Sequence, residues 1–295
     1  MPELPEVETI GRRLEPALEG RRIESVEVLD ERWTRPEPPA RLERVVAGRR
    51  IERVARRGKY LLLRLEGDRI LAMHLRMTGN LLLDAGEGGH DLRHLRAAIR
   101  LDGGEALLFT DARRFGQAVV LEGAEMEEYL AARVGVEPLS EGLTADELCR
   151  LAAGRTAPLK SFLLNQLGVA GIGNIYADEA LHRAGLHPLS PAGSLKPGDC
   201  EALRQGIVDA LETGLRRGGA SMDDYLDARG QQGSMQDEFL VHTREGKPCP
   251  RCGAEIQRIV VAGRSTYFCP SCQRRLRRRP RRGGARRRAT RRTAA

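Results

Sequence analysis

The chain of 295 residues lacks any apolar run near the roughly 20 residues that a bilayer-spanning helix requires, and it lacks a basic-then-apolar leader. Membrane-embedded and exported proteins are thereby set aside, and a cytoplasmic protein with no membrane partner is expected. Cysteines are few, six in all. Four fall in two C-x-x-C pairs, a pattern that favours metal over a disulfide framework. Cys149 and Cys200 stand apart and are expected to be small buried apolar residues. From 273 to 295 there is neither an acid nor a lysine, only twelve arginines among small and turn-forming residues. The formal charge of +8 therefore belongs to this tail, because without it 37 basic residues face 41 acidic ones. Bulk charge gives the body of the chain no nucleic-acid signature, so any such surface must come from local clustering. The tail, having no core-forming residue beyond Leu276, is expected to be disordered. It would add either salt-sensitive affinity for DNA or nothing.

The first eight residues, Met1-Pro-Glu-Leu-Pro-Glu-Val-Glu8, carry the most chemistry. Removal of Met1 would leave Pro2 as an N-terminal secondary amine, with a pKa near ~8 and thus partly unprotonated at neutral pH. Such an amine can attack an electrophilic sugar carbon and form an iminium. Pro5 suits the first turn of a helix, and Val7, Ile10, Leu14 and Leu18 then share one face. Glu3 and Glu6 fall at the positive end of that helix, where they either support the amine or simply complement the dipole.

From residue 23 to about 121, short apolar runs alternate with basic and glycine punctuation, which predicts strands at 23–29, 60–65, 70–75, 95–101, 106–110 and 118–121. Their number and short turns indicate a sandwich or flattened barrel. GRRIESV at Gly20 recurs as GRRIERV at Gly48, marking either equivalent strand entries or chance. Lys59 sits at a strand end, as a cation in a cleft or a solvated turn lysine. Met77 follows His74 on a turn, and Arg113 and Phe115 share a side of an extended segment. A guanidinium that can bond an unpaired base, beside an aromatic wedge, suits a protein that opens duplex DNA. The alternative is a surface arginine and a half-buried ring. His90 lies in a glycine-rich loop that could meet phosphate.

The pattern becomes helical after residues 128–138, with helices predicted at 145–153, 158–166, 175–184 and 198–214. Between the second and third, a turn with three glycines leads to Asn174. Glycines there would let a phosphate approach the backbone, and Asn174 could present its amide to it; a plain capped helix hairpin is the alternative. The polar, glycine-rich stretch 216–233 reads as a lid. Cys249, Cys252, Cys269 and Cys272 have the spacing of a structural four-cysteine Zn2+ site. Between the pairs, a hairpin of 256–261 and 266–268 would carry Arg264 at its tip.

Taken in order, PELPEVE, RRGKYLLL, HLRMTG, DARRFG, VAGIGNIYADEAL, GGASMDDY and CPRCGAEI…GRSTYFCPSCQ resemble the landmarks of the formamidopyrimidine-DNA glycosylases, over residues 1 to about 273. The resemblance implies an α+β multidomain fold: an N-terminal β-sandwich with its helix (1–130), a helix-two-turn-helix domain (131–238), a zinc-ribbon finger (239–273) and the tail (274–295). It implies a DNA glycosylase with abasic-site lyase activity, acting as a monomer on damaged double-stranded DNA. Its substrates would be 8-oxoguanine and formamidopyrimidines, and its product a strand cut by β,δ-elimination. Pro2 would be the Schiff-base nucleophile, Glu3 the catalytic acid and Glu6 its support. Lys59 and Arg264 would serve β- and δ-elimination. Met77, Arg113 and Phe115 would fill the gap and hold the partner cytosine, and His74, His90, Arg155 and Asn174 would contact DNA. Two positions depart from the commoner pattern: Ala112 where proline is usual, and Arg76 where glycine is frequent. A sister class resembling endonuclease VIII, which acts on oxidised pyrimidines, and a binding protein that keeps the scaffold without turnover are the competing readings.

Overall fold

Val7, Ile10, Leu14 and Leu18 are all buried on one face of α1 (Leu4–Leu18), which begins with Pro5 in its first turn. The computed structural model describes residues 1–85, 92–222 and 225–277. Within them α1 is shared by two apolar cores. Leu4 packs into a helical core, whereas Val7 to Leu18 pack into the core of a β-sandwich. The opening helix is therefore the joint of the molecule.

The sandwich consists of β1 (Ile23–Val28), β2 (Ile51–Arg57), β3 (Tyr60–Leu65), β4 (Arg69–His74), β5 (Gly79–Asp84), β6 (Leu95–Leu101), β7 (Ala106–Asp111) and β8 (Gln117–Glu122), with α2 (Pro39–Val46) between the first two strands. One antiparallel sheet runs β1-β6-β7-β5 and the other β2-β3-β4-β8. Leu61, Leu63, Leu71, Met73, Leu81, Ile99 and Phe109 fill the space between them. Burying side chains of this size contributes about 1.5–3 kcal/mol each. The other face of β3 and β4 is covered by Met126 and Leu130 of α3 (Gly123–Ala131). This is why these strands read as nearly continuous apolar runs.

Two strands escaped the sequence reading, β2 and β5, and both are sheet edges. β2 is largely charged, so its periodicity is masked, and β5 is three leucines between turns. The repeated GRRIE stretches do enter strands, and they also pair with each other. Arg22 bridges Arg50, Ile23 N–H donates to Arg49 O at 2.8 Å, and Ile51 N–H donates to Arg21 O at 2.8 Å. The two copies thus tie the sheets together at one corner.

The remainder is helical, with α4 (Ala145–Ala152), α5 (Leu159–Leu164), α6 (Asn174–Arg183) and α7 (Pro197–Arg216), followed by the hairpin β9 (Gln257–Val261) and β10 (Arg264–Phe268). The expected isolation of Cys149 and Cys200 is overturned: a disulfide joins them, linking α4 to α7. Their separation of 51 residues hid a pairing that helix packing creates. The expectation of a disordered tail from 274 also needs correction at its start. Arg274 N–H donates to Gly185 O at 2.9 Å and Arg274 O accepts from His187 N–H, while Leu276 N–H donates to Ser190 Oγ. The tail beyond 277 lies outside the described residues.

Candidate active site

Pro2 is buried in the wall of a cavity of about 190 Å³, which is also lined by Met1, Met77, Arg113, Ile175, Met222 and Tyr225. A second cavity of about 470 Å³ adjoins it, bounded by Met1, Arg76, Met77, Phe115 and Arg264. Met1 lines both, so its removal would free the Pro2 amine and widen the space around it.

Glu3 is held by the start of α6. Its Oε2 accepts from Gly173 N–H at 2.6 Å and its Oε1 from Ile175 N–H at 2.9 Å. Free N–H groups at a helix start, together with the helix dipole, suit a carboxylate. The glycine turn thus leaves room for this contact. A Cβ at Gly173 would lie 2.4 Å from Glu3 Cδ, and Gly171, at φ +78°, would press one into Leu4 at 2.7 Å. Asn174 Nδ2 donates to Ser265 O at 3.0 Å, tying α6 to the β9–β10 hairpin.

Glu6 Oε2 accepts from Glu3 N–H at 2.8 Å, while its Oε1 accepts from Tyr176 Oη–H and Ala220 N–H, each at 2.8 Å. Burial, and then the charge of Glu3, raise its pKa above the usual carboxylate range. Lys59 sits in the turn between β2 and β3, almost wholly buried. Burial lowers its pKa, opposed by the charges of Glu3 and Glu6 and aided by Arg264. These four groups therefore share one electrostatic neighbourhood, although Lys59 and Arg264 are far in the chain from Glu3 and Glu6 and from each other. His74 ends β4 with its Nδ1 accepting from Arg76 N–H at 3.0 Å. Burial, with the charges of Arg76 and Lys59, pushes its pKa down to about 3, so the ring is neutral.

Arg113 lies over the Phe115 ring, its Cζ 4.8 Å from the centroid, and the ring is half exposed. They share a side, but not through an extended segment as the spacing suggested. Arg114 between them takes φ +59° and pairs with the buried Asp30, so the chain bends there. Arg155 is in the turn after α4, bound to Leu151 O at 2.8 Å, and lines neither cavity. His90 falls outside the described residues.

The four cysteine sulfurs lie within 4.8 Å of one another. Cys249 and Cys272 are 3.9 Å apart and Cys252 and Cys269 3.4 Å. Thiolates about 2.3 Å from a tetrahedral zinc stand about 3.8 Å from each other, so the set fits that ion and forms one structural Zn2+ site. His182 Nε2, 3.4 Å from Cys249 Sγ, adds an outer contact.

Several supporting residues were not singled out from the sequence. Tyr176 and Ala220 hold Glu6, and Tyr225 Oη–H donates to Glu6 O at 3.3 Å. The described part of the expected lid is thus anchored beneath the site. Fully buried Lys160 donates to Asp178 Oδ1 at 2.6 Å, and His242 Nδ1 lies 2.8 Å from the other oxygen. Glu179 accepts from the backbone of Leu240, Val241 and His242, clamping the approach to the finger. The only local signal was the density of polar residues in an otherwise apolar helix.

Residues 1–118 match the model of the formamidopyrimidine-DNA glycosylase N-terminal domain, 134–225 that of the H2TH domain, and 246–275 the zinc finger found in FPG and IleRS. The chain is 45% identical over 273 residues to the formamidopyrimidine-DNA glycosylase of Chloroflexus aurantiacus, covering 92% of this chain and 98% of that one. It is 44% identical over 279 residues to that of Gluconobacter oxydans, with 92% and 100% covered. Among solved structures, a complex between Lactococcus lactis Fpg and DNA containing an abasic site superposes with a TM-score of 0.86 at 35% identity, over 92% of this chain and 100% of that one. A complex of a mutant of that enzyme with DNA containing Fapy-dG gives 0.87 at 35% identity, over 93% and 100%.

Proposed function

This chain belongs to the formamidopyrimidine-DNA glycosylase family, and from that premise we propose that it excises oxidised purines, 8-oxoguanine and formamidopyrimidines, from double-stranded DNA and then cuts the abasic strand by β,δ-elimination. The observation that carries the reading is Pro2, buried at the wall of a cavity and followed directly by Glu3, whose charge, with that of Glu6, acts on the buried Lys59.

Once Met1 is removed, the unprotonated Pro2 nitrogen bonds to C1′ of the extruded nucleotide and the glycosidic bond breaks, the base leaving with the electron pair and taking up the proton that the Pro2 nitrogen then gives up. Glu3 supplies a proton as the sugar ring opens, and the nitrogen's lone pair completes the iminium. The α6 N-terminus fixes that carboxyl. Glu6 holds the Glu3 backbone and so the direction of the chain start. Cationic Lys59 and Arg264 stabilise phosphate charge around the iminium and serve the two eliminations. A target base must leave the stack before its sugar can be attacked. Met77, Arg113 and Phe115 fill the gap and offset part of that cost. The zinc holds the hairpin that presents Arg264. His74, His90, Arg155 and Asn174 are assigned to DNA contact on the family resemblance. A cleft formed within one chain supports a monomer, and action on nucleoid DNA places it in the cytoplasm.

Borohydride reduction in the presence of a duplex carrying 8-oxoguanine opposite cytosine is expected to crosslink the DNA to residue 2, and Pro2→Gly to impair turnover more than binding to the damaged site. Correctly processed protein that leaves such duplexes uncut and forms no reducible adduct would remove the catalytic reading.

A further inference from the structure

Asp111, at the end of β7, is buried and lines neither cavity, yet its carboxylate gathers the two loops that do. Its Oδ1 accepts from Thr78 Oγ1–H and from Arg113 N–H at 3.1 Å. Its Oδ2 accepts from Phe115 N–H at 2.8 Å and Gly116 N–H at 2.7 Å. Arg113 N–H also donates to Thr78 Oγ1 at 3.1 Å, which closes a triangle. The backbone positions of Asp111 and Gly79 are already paired between β7 and β5. A carboxylate is an acceptor only, with room for about four donors, and four donors converge on this one. Gly116 leaves the necessary space: a Cβ there would sit 2.3 Å from the Phe109 ring and 3.2 Å from Asp111 Oδ2.

We propose that Asp111 is the positioning residue that locks the Met77–Thr78 turn to the Arg113–Phe115 bend, so that the gap-filling side chains enter the duplex as one pre-set unit. This rests on the gap-filling reading of Met77, Arg113 and Phe115 above. Arg113 receives its direction from a backbone N–H fixed to both Thr78 and Asp111. Loss of that fixation would therefore loosen discrimination between partner bases as well as slow excision. The side chains themselves would remain in place on the chain, but the bend that aims them would not be held.

The test uses full-length, zinc-loaded protein carrying Asp111→Asn, Thr78→Val or Thr78→Ser. Asparagine turns one pair of donors against an NH2 group, whereas valine deletes only the Thr78 link and serine keeps the hydroxyl. Asp111→Asn and Thr78→Val are expected to lower kcat for 8-oxoguanine excision, by on the order of 10²-fold for the former as a misplacement effect, with a smaller change in KM. Cleavage of a preformed abasic duplex should lose much less. The preference for cytosine over adenine opposite the lesion should shrink. The fluorescence rise of 2-aminopurine placed beside the lesion should weaken, and Thr78→Ser should recover the wild-type values. If Met77→Ala and Phe115→Ala impair excision while Asp111→Asn keeps the wild-type kcat and partner preference, the coupling is wrong and the gap-filling reading stands. If all of these variants behave as wild type, both fall together. Equal losses in Thr78→Ser and Thr78→Val would assign the effect to packing and overturn the proposal.

Discussion

Arg56 and Glu137 form a two-point ion pair across the seam between the sandwich and the helical region: Nη2 to Oε2 at 2.9 Å and Nη1 to Oε1 at 3.2 Å. Arg56 also reaches Glu8 of α1 at 2.8 Å, and Glu137 forms an ion pair with Arg57 and accepts from Gly58 N–H. The seam is thus held by charge as well as by the two cores that share α1.

Burial alone would raise the pKa of Glu137, but the hydrogen bond and charge of Arg56, the Gly58 N–H and the charge of Arg57 outweigh it and hold it below the ordinary range. A carboxyl whose folded pKa is depressed adds stability above its unfolded pKa of about 4.5 and loses it as pH falls through the folded value. Glu137→Gln should therefore cost on the order of 3 kcal/mol near pH 7, as breaking a largely buried pair does. It should also flatten the loss of stability seen below pH ~4.5. Denaturation measured across that range checks both; a variant with the wild-type acid profile would refute the assignment.

Lys59 is shifted the other way. Burial lowers its pKa against the pull of Glu3 and Glu6, so its ammonium is lost at a lower pH than that of an exposed lysine. Single-turnover cleavage of a preformed abasic duplex should fall on the alkaline side, beginning below the ordinary lysine value of about 10.4. Lys59→Arg, slower because its geometry differs, should lack that limb because a guanidinium stays protonated. An alkaline limb unchanged in Lys59→Arg would assign it to another group.

The disulfide between Cys149 and Cys200 closes a loop that includes α5, the glycine turn and α6. With 51 residues separating the two sulfurs, loop-closure entropy in the unfolded chain makes the bond worth about 4 kcal/mol. The Cys149→Ser/Cys200→Ser pair should melt several degrees below the wild type. It should keep the glycosylase site geometry, because neither residue touches it. Identical melting curves, with Cys149 and Cys200 titrating as free thiols in the wild type, would show that the bond does not form.

Chelation of zinc should release the β9–β10 hairpin, and with it Arg264 and the carbonyl of Ser265 that Asn174 binds. DNA affinity, followed by anisotropy alongside zinc release, should fall, while the sandwich keeps its fold because the metal organises only the finger. Chelated protein that binds and cuts at the wild-type rate would contradict this role.

Features that depend on near neighbours were legible in the chain itself. The buried face of α1 follows from four apolar residues at helical spacing, β3, β4 and β6 to β8 from apolar runs between turns, and the Zn2+ site from two C-x-x-C pairs. Each is written within a few residues, where periodicity and spacing act. Tertiary structure alone decided which groups meet: Glu3 with the α6 N-terminus, Glu6 with Tyr176 and Ala220, Asp111 with Thr78, and Cys149 with Cys200. These partners belong to different elements, and their meeting depends on how two cores pack around one shared helix. No local pattern in the chain encodes that packing.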